Sequence, residues 1–478
     1  MARLTLLALL SALALRCGGD DRDALLRSTF ARADDALARS RPALLAGRYA
    51  LMASSPVSFY RGALALYLRD WRDGAMELSR SRFAVDDPMP LGVGDPHVEN
   101  FGTLQGPDGR LTLEPNDLDG ADRVPYLWDL RRLTVGLCVA ARASNPDSAS
   151  ANAVTAAAAR DIARDAARAY AAALAAPLPA EASVTAGDGV PMLADLFRRA
   201  QRDADRRTEL SDLSAMTGTT RALRRGVIDP EEPTATLADL PPWAVASLPA
   251  LFERYRATLR EPPEAAYFTV LDAARQFGSG VASLPRIRLL VLVRGPTDAP
   301  DDDVIVEVKE QTDSITPGGV PPGVYFDGIS SRVLAARDAL WSRPDADPRW
   351  GAALWFGLPV QLRTETEAAK SLRVARMTGA LGTPDALRAL ARLLGAQLAR
   401  IHRRTLPSPA PHAAVIARAP DAFADEQADL SVRYAAQVFD DHARFQRLIA
   451  ALGPTLGALP SPDDVASSPA RALFGTPP

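Results

Sequence analysis

Gly94-Asp95-Pro96-His97-Val98-Glu99-Asn100-Phe101-Gly102 is followed, after a short intervening stretch, by Asn116-Asp117-Leu118-Asp119. An acidic residue and an amide five positions apart, then a second acidic cluster, form the set that phosphoryl transfer needs. One carboxylate orients or deprotonates a hydroxyl, while an Asn and another Asp hold magnesium on phosphates. Pro96 disfavours helix at Asp95, so Asp95 and Asn100 belong to a loop, where a rigid scaffold tends to carry catalytic side chains. Gly106-Pro107-Asp108-Gly109 predicts a hairpin turn between strands at Phe101–Leu104 and Leu111–Leu113, which returns the chain to Asn116–Asp119. Carboxylates and an amide brought together suit a hard, oxygen-seeking cation such as magnesium. Taken singly, these Asp and Asn residues are ordinary turn formers. As a set they point to a site.

His97 admits another reading, since Asp-x-His also opens many dinuclear metallophosphoesterase sites. Those sites need several further histidines, and the chain has only His402, His412 and His442 besides. Cys138 stands in an apolar context as a lone buried thiol, so the cysteines supply neither a disulfide framework nor a thiolate metal site.

Of 55 basic residues only two are lysines, Lys309 and Lys370. Where any positive charge suffices, this chain uses Arg. Lys309 lies in Val304-Ile305-Val306-Glu307-Val308-Lys309, whose alternation predicts a strand with Ile305, Glu307 and Lys309 on one face and Val306 and Val308 on the other. A compact ammonium is wanted there in place of a guanidinium fork. Upstream, Gly278-Ser279-Gly280 precedes the apolar strand at Arg286–Val293 and can form a turn over phosphates. Glycine turn, strand, turn, then a strand ending in Lys is the order of a kinase nucleotide lobe.

Elsewhere the texture is helical: Asp23–Ser40, a segment opening at Trp128-Asp129-Leu130, an Ala-rich helix over Ala149–Ala176, and Asp385–His402 with its stripe of Leu387, Leu390, Leu394, Leu398 and Ile401. Residues 177–263 read as Pro-interrupted and mostly helical, with no chemistry. The class is therefore α+β. The divisions are a leader at 1–19, a helix-rich lobe with the catalytic loop at 20–265, a β-rich nucleotide lobe at 266–375, and C-terminal helices with a loose Pro-rich tail at 376–478.

A hydrophobic content of 47% and a charged content of 24% are ordinary for a globular chain, and a net charge of −3 gives no basic footprint for nucleic acid. The apolar run Leu4–Leu15 after Arg3 is too short to span a bilayer but suits an export signal. Cys17 before Gly18-Gly19 reads as a lipidation point that would anchor the chain to the cell envelope, although Arg16 is out of place for that pattern. The alternative address is the cytoplasm.

With these residues in view, the chain resembles the bacterial family catalogued as domain of unknown function 2252, itself related to the protein-kinase-like fold of aminoglycoside phosphotransferases and choline kinases. The matching residues run from Ser55–Gly62 through Gly94–Gly102, Asn116–Asp119 and Trp128-Asp129-Leu130 to Gly278–Gly280, Val308-Lys309-Glu310 and Gln361-Leu362-Arg363. The resemblance implies a two-lobed kinase-like fold, circularly permuted because the catalytic loop precedes the glycine turn and Lys309. By the same resemblance Asp95 is the catalytic Asp, and Asn100, Asp117 and Asp119 are magnesium ligands. Lys309, Gly278 and Gly280 hold ATP or another nucleotide, and the second substrate is a hydroxyl-bearing acceptor. Two departures stand out. Leu118 replaces the usual Phe, and the helix after Lys309 offers Arg332, Ala335, Ala336 and Arg337 where a Glu partner is expected, leaving Glu307 or Glu310 to substitute. A rival reading is an exported binding or assembly protein that kept the fold and lost the chemistry.

Overall fold

The computed structural model describes residues 21–145, 153–177, 183–185, 189–206, 208–227, 235–318 and 328–458. The leader, Cys17 and the Pro-rich tail expected from the sequence lie outside these residues. The chain is a helix-rich mixture of the two structure types, 54% helix and 16% strand. Among the described residues no helix is long and apolar enough to cross a membrane.

In chain order, the elements that matter are strands β1 (Phe101–Gln105) and β2 (Leu111–Pro115), and helices α1 (Tyr126–Ser144) and α2 (Ala156–Ala175). Strands β3 (Gly226–Val227) and β4 (Thr236–Asp239), helix α3 (Pro242–Arg256), and strands β5 (Val270–Phe277), β6 (Arg288–Val293) and β7 (Val304–Glu310) come next. Helix α4 (Ile329–Leu340), strands β8 (Gly351–Trp355) and β9 (Leu358–Thr364), and helices α5 (Pro384–Thr405) and α6 (Pro420–Leu452) complete them.

The predicted stripe on α5 is buried throughout. Its start is fixed by Thr383, whose side chain accepts from the N–H of Ala386, with Pro384 at the first helical position. The Ala-rich helix begins at Ala156, later than its composition suggests, because Thr155 caps it by accepting from Ala158 N–H. Small side chains let α2 and α5 approach closely: a Cβ on Gly395 would stand 2.1 Å from the carbonyl oxygen of Ala166. Helix α1 is buried on all sides from Tyr126 to Ala141, and its buried polar side chains find partners. Arg131 binds Gln427 at 2.8 Å, and Asp129 accepts from the N–H groups of Val93 (2.7 Å) and Gly94 (3.0 Å).

Seven antiparallel strands form one sheet in the order β8-β9-β7-β6-β5-β4-β3. Its faces divide as the alternation predicts. Val306, Val308, Leu289 and Val291 pack with Leu248, Leu251 and Phe252 of α3. On the opposite face Ile305, Leu290 and Leu292 meet Leu210 and Leu213, and the polar Glu307 and Lys309 follow along β7. Residues 177–263 depart from the mostly helical expectation. Besides helices they form the hairpin Ser214–Thr217/Thr220–Leu223 and contribute β3 and β4 to the sheet. These strands span two to four residues, too short for a period-two pattern to register, and the hairpin turns on Gly218 at φ +66°.

Candidate active site

Strands β1 and β2 pair in register from Phe101↔Pro115 to Gln105↔Leu111, and Asn116 N–H closes the base of the hairpin on the carbonyl of Asn100 (3.0 Å). Asn100 and Asp117 therefore leave the hairpin side by side. The loop before β1 is held by its own backbone: His97 N–H reaches Asp95 O at 2.8 Å, and Asn100 Nδ2 donates to the same oxygen at 2.9 Å. Gly94 has φ +80°, and a Cβ there would lie 1.8 Å from the carbonyl oxygen of Gly120. Only glycine lets the Asp95 loop and the Asp117–Gly120 turn come this close.

Asp95, His97, Asn100, Asp117 and Gly120 line one cleft of about 570 Å³ between the helical body and the sheet. From the sheet side Lys309 reaches in. Its Nζ lies 2.6 Å from Asp119 Oδ2 and 3.3 Å from Asp117 Oδ1. Burial works against the ammonium, and the two carboxylates outweigh it and raise the Lys309 pKa. Burial works against the Asp117 carboxylate as well, but Lys309 holds it down at about 2. Asp119 moves the other way, up, through burial and then repulsion from Asp117. The carboxylates Glu307 and Glu310, the expected substitutes for a helix-borne partner, hold other groups: Arg288 at 3.1 Å and Arg41 at 2.7 Å. From α4, Arg332 binds the carbonyls of Ala121 and Asp119.

Asp95 faces Arg132, whose Nε is 2.7 Å from Oδ1. The guanidinium is buried, stacks 3.7 Å from the Tyr60 ring centre, and donates to Tyr60 O at 2.8 Å. His97 Nε2 stands 3.9 Å from Asp95 Oδ2. Burial pushes this imidazole down to about 4, so it is neutral and no second cation for the loop. The glycine turn joins β5 to β6. Gly278 and Gly280 have φ of +75° and +71°, and Ser279 and Gly280 line the cleft. Val281 just beyond is buried in the helical core, which docks the turn against the body.

Among the described residues no three His, Cys, Asp or Glu side chains converge as a metal cage. The smaller set of Asp117, Asp119 and Asn100 still fits a hard cation. Asp119 Oδ1 is buried with no hydrogen-bond partner among the described residues, and the Asn100 amide spends its Nδ2 on Asp95 O and keeps its oxygen as an acceptor.

The sequence pattern did not single out Arg132, Arg288, Glu365 or Lys370, and all but Arg132 line the cleft. Lys370 carried a signal, because both lysines of the chain line this one cleft. Arg131-Arg132 carried another, as two charges inside an otherwise apolar helix need buried partners. Glu365 carried none. His402, at the end of α5, is a structural residue, bound to Tyr170 Oη (2.8 Å) and Asp129 (3.1 Å) below the loop.

No curated protein and no solved structure matches this chain. Residues 39–448, most of its length, match the family described as an uncharacterized protein conserved in bacteria, DUF2252, and the chain belongs to that family.

Proposed function

We propose that this protein transfers a phosphoryl group from a magnesium-bound nucleotide to a hydroxyl acceptor, on a kinase-like two-lobed fold in circularly permuted order. The observation that carries the reading is the bridge from Lys309 to Asp117 and Asp119. One ammonium from an interior strand meets the carboxylates of a hairpin from the helical body, inside a cleft that also holds Asp95 and the glycine turn. Such a pairing of opposite charges is open to exchange: phosphate oxygens take the ammonium, and a cation takes the carboxylates. Asp117, Asp119 and the Asn100 amide oxygen would hold magnesium, which when bound neutralises charge on the phosphates. Lys309 binds phosphate oxygens, and Ser279 and Gly280 of the glycine turn bring backbone N–H groups beside them.

Asp95 accepts the acceptor's hydroxyl proton as the new P–O bond forms and the bond to the leaving nucleoside diphosphate breaks. Arg132 holds Oδ1, which fixes the carboxylate's orientation. The order of these parts, with Asp95, Asn100 and Asp117 ahead of Gly278–Gly280 and Lys309, is what makes the arrangement a permuted one.

The test is thermal unfolding of the purified chain titrated with Mg-ATP and Mg-ADP. The wild type gains stability by mass action, about 2.7 kcal/mol at a hundredfold excess over Kd. Asp117→Asn and Lys309→Ala each lose most of that gain. Each variant is compared with its own ligand-free midpoint, since removing Lys309 leaves two carboxylates facing each other. A well-folded wild type with no shift at millimolar nucleotide sinks the proposal. A shift without ADP formation from Mg-ATP in the presence of any hydroxyl acceptor favours a binding protein.

A further inference from the structure

The sheet face that carries Lys309 continues beyond it along β9. Gln361 pairs with Lys309 across the ladder, Arg363 pairs with Glu307, and Glu365 N–H extends the ladder to Ile305 O at 2.9 Å. Gln361, Arg363 and Glu365 therefore share the cleft face, and all three line the cleft. Glu365 stands four residues past Gln361, or about 13 Å along the strand direction from Lys309. That is the length separating the phosphates from the outer ring edge of an extended purine nucleotide. Leu213, Ala235 and Leu290 also line the cleft and give it apolar surface against which a planar base can lie.

The carboxyl of Glu365 has no hydrogen-bond or ion-pair partner among the described residues. Its neighbours are spoken for. Glu307 on β7 is held by Arg288 of β6, and Glu209 lies 3.8 Å from Lys370 Nζ. Arg363 on its own strand is 3.4 Å from Asp347. Asp303 and Glu367 share with Glu365 a smaller adjoining cavity of about 110 Å³ and add no cation. Burial, then the carboxylates of Glu307 and Glu209, push Glu365 up to about 8, against the weaker pull of Arg363 and Arg288. At neutral pH it is a carboxylic acid, with one O–H donor beside one acceptor.

We propose, building on the nucleotide reading above, that Glu365 reads the base: its O–H donates to ring N1 of adenine and its carbonyl oxygen accepts from the N6 amine. The bond to N1 requires the neutral carboxyl, because a carboxylate has no donor to offer and sets its charge against the N1 lone pair. A Gln side chain carries the same donor and acceptor without titrating, and an Ala carries neither.

The experiment is calorimetric titration of the full chain with Mg-ADP, using wild type, Glu365→Gln and Glu365→Ala at about pH 7 and about pH 9.5. Loss of two neutral hydrogen bonds weakens Glu365→Ala about tenfold or more at the lower pH. Wild type weakens about 30-fold at the higher pH, as the competent protonated fraction falls. Glu365→Gln stays within about threefold of wild type at the lower pH and keeps that affinity at the higher. Equal binding by wild type and Glu365→Ala overturns the base-reading role while leaving the nucleotide site in place. A pH dependence unchanged in Glu365→Gln overturns it too. Failure of the wild type to bind Mg-ADP at all removes the nucleotide reading and this inference with it.

Discussion

Asp95 meets two demands. Its carboxylate neutralises a guanidinium with almost no exposure, and in the proposed reaction it also receives a proton. Asp95→Asn separates the two. The Asn oxygen still accepts from Arg132 at the same position, so the fold survives, but Arg132 loses its counter-charge and stability falls by about 2 kcal/mol. Nucleotide binding, which rests on Lys309 and the Asp117–Asp119 turn, stays near wild type. Turnover, followed as ADP formation from Mg-ATP, drops about a hundredfold or more, the usual contribution of a positioned base. Turnover at the wild-type rate would remove Asp95 from the chemistry. At this scale the sequence was informative where a residue was unusual for its setting. Lys309 was conspicuous because the chain otherwise uses arginine, and Asp95 because Pro96 took it out of helix. Glu365 was invisible, since one more glutamate after a strand says nothing until the fold surrounds it with carboxylates.

Secondary-structure elements were legible in proportion to their length. The stripe on α5 runs over about four turns and marks a buried helix unambiguously, and the alternation on β7 separated the face of Glu307 and Lys309 from the face of Val306 and Val308. The hairpin of β1 and β2 was legible from its turn residues alone. The short strands near residues 214–239 were not, because their place in the sheet is set by the neighbour they pair with, not by their own pattern. Close contacts between elements were equally hidden. Gly395 in mid-helix reads as a defect, about 1 kcal/mol worse than Ala. The packing reverses the sign of that expectation: a methyl group would enter the carbonyl of Ala166, a backbone atom that cannot swing aside. Forcing α2 and α5 apart costs about 1–3 kcal/mol, so Gly395→Ala is net destabilising by about 1 kcal/mol despite its better propensity. Chemical unfolding measures it, and a stabilised variant would mean that the two helices can slide to make room.

For the whole molecule, the sequence supplied the parts of the cleft but not their meeting: Asp117 and Lys309 are 192 positions apart, and only the fold brings their charges to 3.3 Å. Enclosing so many titratable groups in and below one cleft also sets how stability depends on pH. His97 and His412 are buried and pushed down from 6.5 to about 4, so the unfolded chain binds their protons first and stability is lost as pH falls through that window. Glu114, a buried residue of β2 bonded to Ser342 and Gln397, is pushed up from 4.5 to about 7, and Glu365 to about 8. For these carboxyls the folded state holds the proton longer than the unfolded one, so stability is lost as pH rises from about 4.5 through those values. Between about pH 4.5 and 6.5 the two slopes oppose and stability is nearly flat. Above that only the carboxyls act, and the fold loses about 1–2 kcal/mol by about pH 8, a figure reduced because Glu365 is only partly buried. Urea unfolding at a series of pH values should show this plateau and alkaline decline in the wild type. In the double variant Glu114→Gln, Glu365→Gln the decline should flatten, because neither amide titrates. A decline that persists unchanged in that variant would assign it to other groups and would also weaken the case that Glu365 is neutral when the base arrives.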